Sequence, residues 1–466
     1  MAPTEVLEPE REEAQAGEAG ALDPHFVREV VDALDRGASA TLREKLSGLH
    51  AADLADLIGL IGPEERTALV TTLGKDVLTP EVLSELDEDV RDEVLAHLEP
   101  QAIAEAVQAL DTDDAVYLLE DLDEAQMRAV LARIPESDRA ALELPLHYPE
   151  NSAGRLMQRE MVAVPPFWTV GQTIDYLRET EELPSEFFEI FVVDPAFALL
   201  GSVQTSRLVR TKRPVLIGDI MDAEPTAVPA SMDQEEVAYL FEQYHLVSAP
   251  VVDDAKRLVG MITVDDIVDV IQEEMTEDIL ALGGVRDAET MTSTVIDTTR
   301  ARFSWLFINL LTAMLASIVI GFFDATIEQV VALAVLMPIV ASMGGNAGTQ
   351  TLTVAVRALA TRELTPANAL RIVYRETLVG SLNGIIFAIL MGLVAVLWFK
   401  SPAIAVIIGL AMIINLLAAG LAGILIPLGL HRMGVDPAVS SVVFLTTVTD
   451  VVGFSTFLGL AAWYFG

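Results

Sequence analysis

Hydrophobic positions divide the chain at about residue 300. Beyond that point apolar runs fall at about 303–323, 328–356, 372–399, 403–429 and 437–465. Each is long enough for a helix to cross a hydrocarbon core of roughly 30 Å, which takes about 20 residues. Before it the pattern is soluble. From Asp23 to Pro145, Leu86, Leu98, Leu110, Leu122 and Ile134 recur every 12 residues, each followed by Asp, Glu or Pro. That period suits a helix of two to three turns plus a tight turn, so it predicts a stack of short helices. Residues 1–22 lack large apolar groups in number and read as a disordered lead-in.

Residues 154–272 contain a duplication. Leu156-Met157 with Val164-Pro165 matches Ile220-Met221 with Val228-Pro229, and Val192-Val193-Asp194 with Gly201 matches Val251-Val252-Asp253 with Gly260. Each copy predicts a short strand, a helix, an apolar strand, an Asp-containing turn, a strand and a helix. The helix that follows, from Thr263 to Leu282, carries Asp265, Asp266, Asp269, Glu273, Glu274, Glu277 and Asp278 with no base. Two like charges about 5 Å apart at an effective dielectric near 20 repel by roughly 3 kcal/mol. Such a helix needs solvent or cations between it and its neighbours.

Polar positions inside the spans point to chemistry. Asp450 lies in the last span with no Lys, Arg or His between Val439 and Gly466. A carboxylate at membrane depth costs about 2.5–3.5 kcal/mol, so it belongs in a bundle interior or a water-filled path. Thr446, Thr449, Asp450 and Gly453 follow helical spacing and predict one polar stripe. In the second span Pro338, Ser342, Gly345, Asn346, Thr349 and Thr353 share a face, and Pro338 with Gly344-Gly345 permits a kink or unwinding. Helix packing through Gly344 and Gly348 accounts for the glycines but not for Asn346, Gln350 and the threonines together.

Charge sharpens this. Residues 1–300 hold 63 acidic and 22 basic side chains, a net of −41, whereas 301–466 hold 6 and 7. The acidity argues against nucleic acid and favours cations. Arg300, Arg302, Arg357, Arg362, Arg371, Arg375 and Arg432 lie on one side of the spans and Lys400 on the other, which predicts a cytoplasmic N-terminal region. No apolar segment at the N-terminus reads as a signal peptide. There is no cysteine and no clustered histidine, so soft-metal chemistry is disfavoured. No constellation for catalysis stands out, and GGNAGTQT lacks the lysine of a phosphate loop. Carboxylates, amides and hydroxyls remain, and they suit hard cations such as magnesium.

The duplicated region resembles a pair of CBS domains. The resemblance implies a nucleotide contact, ATP among the candidates, at Gly260, Thr263 and Asp266; the first copy has Arg207 where the acid would stand. Thr263 capping its helix through Asp266 accounts for the same residues. The whole order, with PIVASMGGNAGTQT, RALATREL, GVDPAV and TVTDVVG, resembles the MgtE family of magnesium channels. That implies a multi-domain chain: an all-α helical-repeat N domain (23–150), an α/β CBS pair (151–212 and 213–272), an acidic plug helix (273–300) and a five-helix membrane domain (301–466). It implies a homodimer in the bacterial inner membrane, with lipid around it and a pore built mainly from the second and fifth spans. Asp450 would bind the permeating Mg2+, with Asn346 nearby. Regulatory Mg2+ would sit among Glu81, Asp113, Asp233, Glu235, Asp266, Asp269, Glu274, Glu277, Asp278 and Asp436, closing the channel when the cytosolic ion is abundant. His245 departs from the acid that relatives can carry there. A secondary carrier coupled to protons or sodium, and a membrane-anchored ion or nucleotide sensor, stay open at this stage.

Overall fold

The computed structural model describes residues 22–466 apart from 75–76, 181–182, 185 and 286–294. The predicted lead-in and most of the connection after Gly284 therefore lie outside the described residues. The chain forms two compact units that divide after Ile271.

The first unit opens with ten short helices: α1 (Pro24–Asp35), α2 (Ser39–Leu46), α3 (Ala51–Leu60), α4 (Pro63–Leu73), α5 (Pro80–Ser84), α6 (Glu88–Leu95), α7 (Pro100–Val107), α8 (Thr112–Glu120), α9 (Glu124–Leu131) and α10 (Glu136–Glu143). The last five begin at 88, 100, 112, 124 and 136, which is the 12-residue period of the sequence. The repeated leucine or isoleucine sits two residues before each start and packs into one shared core. Starts are set by local chemistry. Proline opens α1, α4, α5 and α7, and Asp123 forms a reciprocal capping box with Gln126 on α9. Two buried arginines staple turns of the stack that the leucine pattern does not reveal. Arg66 pairs with Glu93 and donates to the carbonyls of Ile58 and Ile61; Arg91 pairs with Asp121 and lies 3.8 Å from the Tyr117 ring centroid.

Two α/β lobes follow. The first contains β1 (Ala163–Val164), α12 (Val170–Glu179), β2 (Glu189–Val193), β3 (Leu199–Gln204) and α13 (Thr205–Arg210). The second contains β4 (Val228–Pro229), α15 (Gln234–Tyr244), β5 (Ser248–Val252) and β6 (Leu258–Thr263). Each sheet pairs its first two strands parallel and its last two antiparallel, with a register shift at Val192/Val193 and at Val251/Val252. Asp194 and Asp253 close the equivalent turns by accepting backbone N–H groups of Ala196 and Ala198, and of Ala255 and Arg257.

The lobes exchange their leaders. Residues before the first lobe, including α11 (Ala153–Leu156), pack into the second lobe's core through Ala153 and Met157. Residues before the second lobe, with α14 (Ile217–Ile220), pack into the first lobe's core through Ile217 and Ile220. The crossing strands bridge Gln158 to Met261 and Ser202 to Asp222. A Cβ at Gly260 would lie 2.7 Å from the Gln158 carbonyl oxygen, and one at Gly201 would collide with that of Asp222. Both glycines admit the other lobe's leader.

The acidic α16 (Val264–Leu282) continues from β6. The second unit holds α17 (Val295–Gly321), a short α18 (Asp324–Gln329), α19 (Ala332–Ala360), α20 (Ala369–Phe399), α21 (Pro402–Arg432) and α22 (Pro437–Phe465). Among the described residues five helices are long and apolar enough to cross a membrane, as the hydropathy pattern predicts. The second span starts and ends about four residues later than expected, because Asp324 and Glu328 belong to the separate turn α18. The unwinding that Pro338 and Gly344-Gly345 permit is not taken: α19 is helical throughout. α21 is the central strut, packed against α19, α20 and α22.

Candidate ion pathway and acidic contacts

α19 has two unlike sides. Leu336, Val340, Gly344, Gly348, Leu352 and Val356 are buried against neighbouring helices. Pro338, Ser342, Asn346, Thr349, Gln350 and Thr353 are exposed on the protomer surface. The hydroxyls of Thr349 and Thr353 donate to the carbonyls of Gly345 and Thr349 one turn back, and the Asn346 amide donates to Ser342 Oγ at 3.4 Å. With the two threonine hydroxyls donating into the helix, their lone pairs are left outward, beside the amide and hydroxyl oxygens of Gln350, Asn346 and Ser342.

Asp450 is half-buried on α22, and no hydrogen bond or ion pair from a described residue engages its carboxylate. The predicted stripe around it is split. Thr446 and Asp450 are partly exposed, whereas Thr449 and Gly453 face inward and are buried. A stripe one helical turn wide cannot be placed to better than a residue or two by spacing alone. Depth agrees between the helices. Asp450 lies 13 residues from the start of α22 and Asn346 lies 14 from the end of α19, about 20 Å each at 1.5 Å per residue.

Behind these faces sit two buried polar side chains that spacing did not flag. Asn415 on α21 donates its amide to the Val340 carbonyl at 2.8 Å. Glu376 on α20 accepts from Thr351 at 3.4 Å and from Arg375 at 2.9 Å. Asn415 is a lone polar residue in an apolar run, which is a signal in the sequence; Glu376, between Arg375 and Thr377, carries none.

At the end of the second unit nearest α16, Ala281 and Leu282 pack with Leu352 and Val356 of α19, Ala422 of α21 and Ala438 and Leu445 of α22. One turn earlier Asp278 is pushed up by burial first and then by Asp436 and Glu274. Asp436 caps α22 by accepting from Ala438 N at 2.8 Å. Asp278, Glu274 and Asp436 thus share one acidic environment, and Glu277 lies a residue away from Asp278, half-buried.

In the first unit, α8 faces the start of α16. Burial pushes the Asp113 carboxyl well up, with Asp266 and Asp114 adding to it. Asp114 is pushed up to about 6 by burial, then by Asp111, Glu85 and Asp265. Asp266 is pushed up to about 7, burial outweighing the hydrogen bonds it accepts from Thr263. Asp269 is raised by burial and by Asp265. Glu160 anchors the same edge by accepting from the Thr112 hydroxyl and backbone N–H. Carboxylates that hold protons this tightly lie in uncompensated negative potential, and a divalent cation would relieve it.

The remaining predicted residues are elsewhere or otherwise engaged. Glu81 is exposed in the first turn of α5, and Asp233 and Glu235 are exposed at the start of α15, where Asp233 accepts from Glu235 N. Thr263 donates to Asp266 at 2.9 Å and accepts from Gln158 at 3.3 Å, and Gly260 backs the exchanged leader. The Thr263–Asp266 bonds are those of the capping reading, and the Gln158 leader accounts for the glycine at 260. His245 ends α15 in a left-handed conformation, φ 54°. No three acidic, histidine or cysteine side chains among the described residues lie together as a direct metal shell.

An acidic helical stack, a leader-exchanged α/β pair and a five-helix bundle with an oxygen-lined face beside one carboxylate define a membrane protein of the cation-transporter class. Family models agree part by part. Residues 337–460 match the MgtE divalent cation transporter model, 49–151 the MgtE intracellular N domain and 217–273 the CBS domain. The chain is 34% identical over 447 residues to the magnesium transporter MgtE of Thermus thermophilus, covering 92% of this chain and 96% of that one. It is 28% identical over 436 residues to the protein of the same name from Bacillus subtilis, covering 94% and 96%. Among solved structures, the cytosolic domain of the Mg2+ channel MgtE in complex with ATP is 32% identical, spans 52% of this chain and 99% of that one, and has a TM-score of 0.48. The chain belongs to the MgtE family.

Proposed function

We propose that the protein is a magnesium channel of the bacterial inner membrane, working as a homodimer and closed by cytosolic Mg2+. The observation that carries the reading is the exposed polar face of α19 at the depth of Asp450. Facing lipid, those side chains would be costly; facing the same surface of a second copy, they would line a wet passage. Two copies would bring two carboxylates to one axis. Outward-facing oxygens would then hold a hydrated divalent ion without stripping it, because magnesium sheds water reluctantly.

Regulation would use the two acidic environments. With the ion scarce, Asp113, Asp114, Asp265 and Asp266 repel across the α8–α16 contact, and Asp278, Glu274 and Asp436 repel beside the pore helices. Binding to the compact form alone stabilises it by about 1.4 kcal/mol per site for each tenfold excess over the dissociation constant. Through α16, whose last turn packs on α19, α21 and α22, that preference would hold the pore shut.

The test is Mg2+ flux into vesicles containing the purified full-length protein, with magnesium varied on the cytosolic side. Flux that follows voltage and falls as cytosolic Mg2+ reaches millimolar levels supports the reading. Saturable flux requiring an opposing proton or sodium gradient replaces the channel with a carrier. Flux indifferent to cytosolic Mg2+ removes the gate.

A further inference from the structure

The faces that carry Asn346 and Asp450 must stay at matched heights. At that level the helix surfaces behind them are glycine, Gly344 and Gly348 on α19 and Gly453 on α22, between the apolar side chains that pack above and below. A slip of one residue moves a side chain by about 1.5 Å along the axis. A directional contact at this level would hold the register where the ion-facing side chains lie.

Asn415 meets that need. It is fully buried midway along α21. Its amide nitrogen donates to the Val340 carbonyl, one turn from Gly344. A Cβ added at Gly344 would collide with the same amide, and one added at Gly453 would stop 2.8 Å from its nitrogen. The side chain is therefore wedged between two glycines on two different helices. Asn346 is two residues beyond the first glycine, and Asp450 three before the second. Its own oxygen, Oδ1, is buried and has no partner among the described residues. Leucine would fill the volume without stranding an acceptor, so packing alone does not account for an amide here. What the amide adds is one aimed bond to α19.

We infer that Asn415 is a positioning residue that fixes Asn346 and Asp450 at a common height and thereby sets the preference among hydrated divalent cations. The inference rests on the transport reading above. It concerns side chains behind the ion path, not the ion's own ligands.

The experiment compares Mg2+ and Ca2+ uptake by vesicles holding the full-length wild type, Asn415→Ala, Gly344→Ala and the double variant. Asn415→Ala is expected to lose about tenfold in preference for Mg2+ over Ca2+ and to shift the half-saturating Mg2+ concentration. Gly344→Ala, which drives a methyl into the amide, should do the same. In the double variant the added methyl occupies the space left by the amide, so folded yield recovers while the preference stays lost, because the bond to Val340 is still missing. The inference is overturned if Asn415→Ala lowers only the maximal rate, or if the double variant regains the wild-type preference. Should Asn415→Ala fail to accumulate, the double variant carries the comparison. Wild-type vesicles that pass no Mg2+ would instead defeat the transport reading itself.

Discussion

The two halves of this chain treat negative charge in opposite ways. The first 300 residues hold 63 acids, most on solvated helix faces, while the last 166 hold six. In the soluble unit burial and company act together: Asp113, Asp114 and Asp266 are pushed up first by burial and then by neighbouring carboxylates. In the membrane unit Asp450 matters alone, half-buried in an apolar helix with no protein partner among the described residues. Charge is collective in one medium and singular in the other. The reason is solvent: water and salt screen exposed charges within about 10 Å, and hydrocarbon does not.

The sharpest way to break that contrast is Asp450→Ala. Flux in vesicles should fall by at least about a hundredfold with the cytosolic regions still folded, since a lone carboxylate has no neighbour to substitute for it. Retained flux would mean the charge is structural. Asn346→Ala should cost less, about tenfold, because the neighbouring Ser342 and Thr349 oxygens remain on the same face; the same assay reads it.

In the soluble unit the effect should need two changes. Asp113→Asn with Asp266→Asn removes the core of the repulsion, so the full-length protein should resist proteolysis better without magnesium and gain little from adding it. Either change alone should shift the half-protecting Mg2+ concentration by a few-fold.

Acidity probes the same cluster more gently. Folded-state proton affinities raised to about 6 for Asp114 and about 7 for Asp266 lie above the unfolded carboxylate value of 3.8. The folded form therefore binds the extra protons, and the stability they confer is present at low pH and lost as pH rises from about 4 through about 7. Without divalent ions the thermal midpoint should fall across that window, and the gain from millimolar Mg2+ should grow across it. A midpoint flat between pH 5 and 8 would contradict the crowding.

The smallest effect belongs to an acid without such company. Glu136→Gln, exposed at the start of α10, should change unfolding free energy by no more than about 0.5 kcal/mol in a denaturant titration.

What the sequence made legible follows the same division of media. The 12-residue leucine period maps onto helix starts from α6 to α10 because each repeat packs its own hydrophobic residue, two positions before the helix, into the shared core. The five spans were legible because lipid demands long apolar helices; the α18 turn displaced the second by about four residues, and polar first turns extend the first and third at their starts. Asp450 and Asn346 stood out by their cost in that setting. Asn415, Glu376, Arg66 and Arg91 were not singled out, since their roles lie in partners far along the chain: Val340 is 75 residues from Asn415, and Asp121 is 30 from Arg91. The same holds for Gly260. Its motif suggests a ligand, and its position also serves a backbone crossing that only tertiary structure reveals.

That crossing also bears on how the chain is made. Each α/β lobe is completed by a segment that, in the order of synthesis, belongs to the other: Ala153 and Met157 emerge from the ribosome roughly a hundred residues before the β6 strand they pack beside. The first lobe cannot close until Ile217 and Ile220 have followed it, and the second cannot close without a piece made before the first. Neither lobe is a separable product, so the pair should condense in a single late step, and a nascent chain halted between them should present only an unfinished, protease-sensitive intermediate.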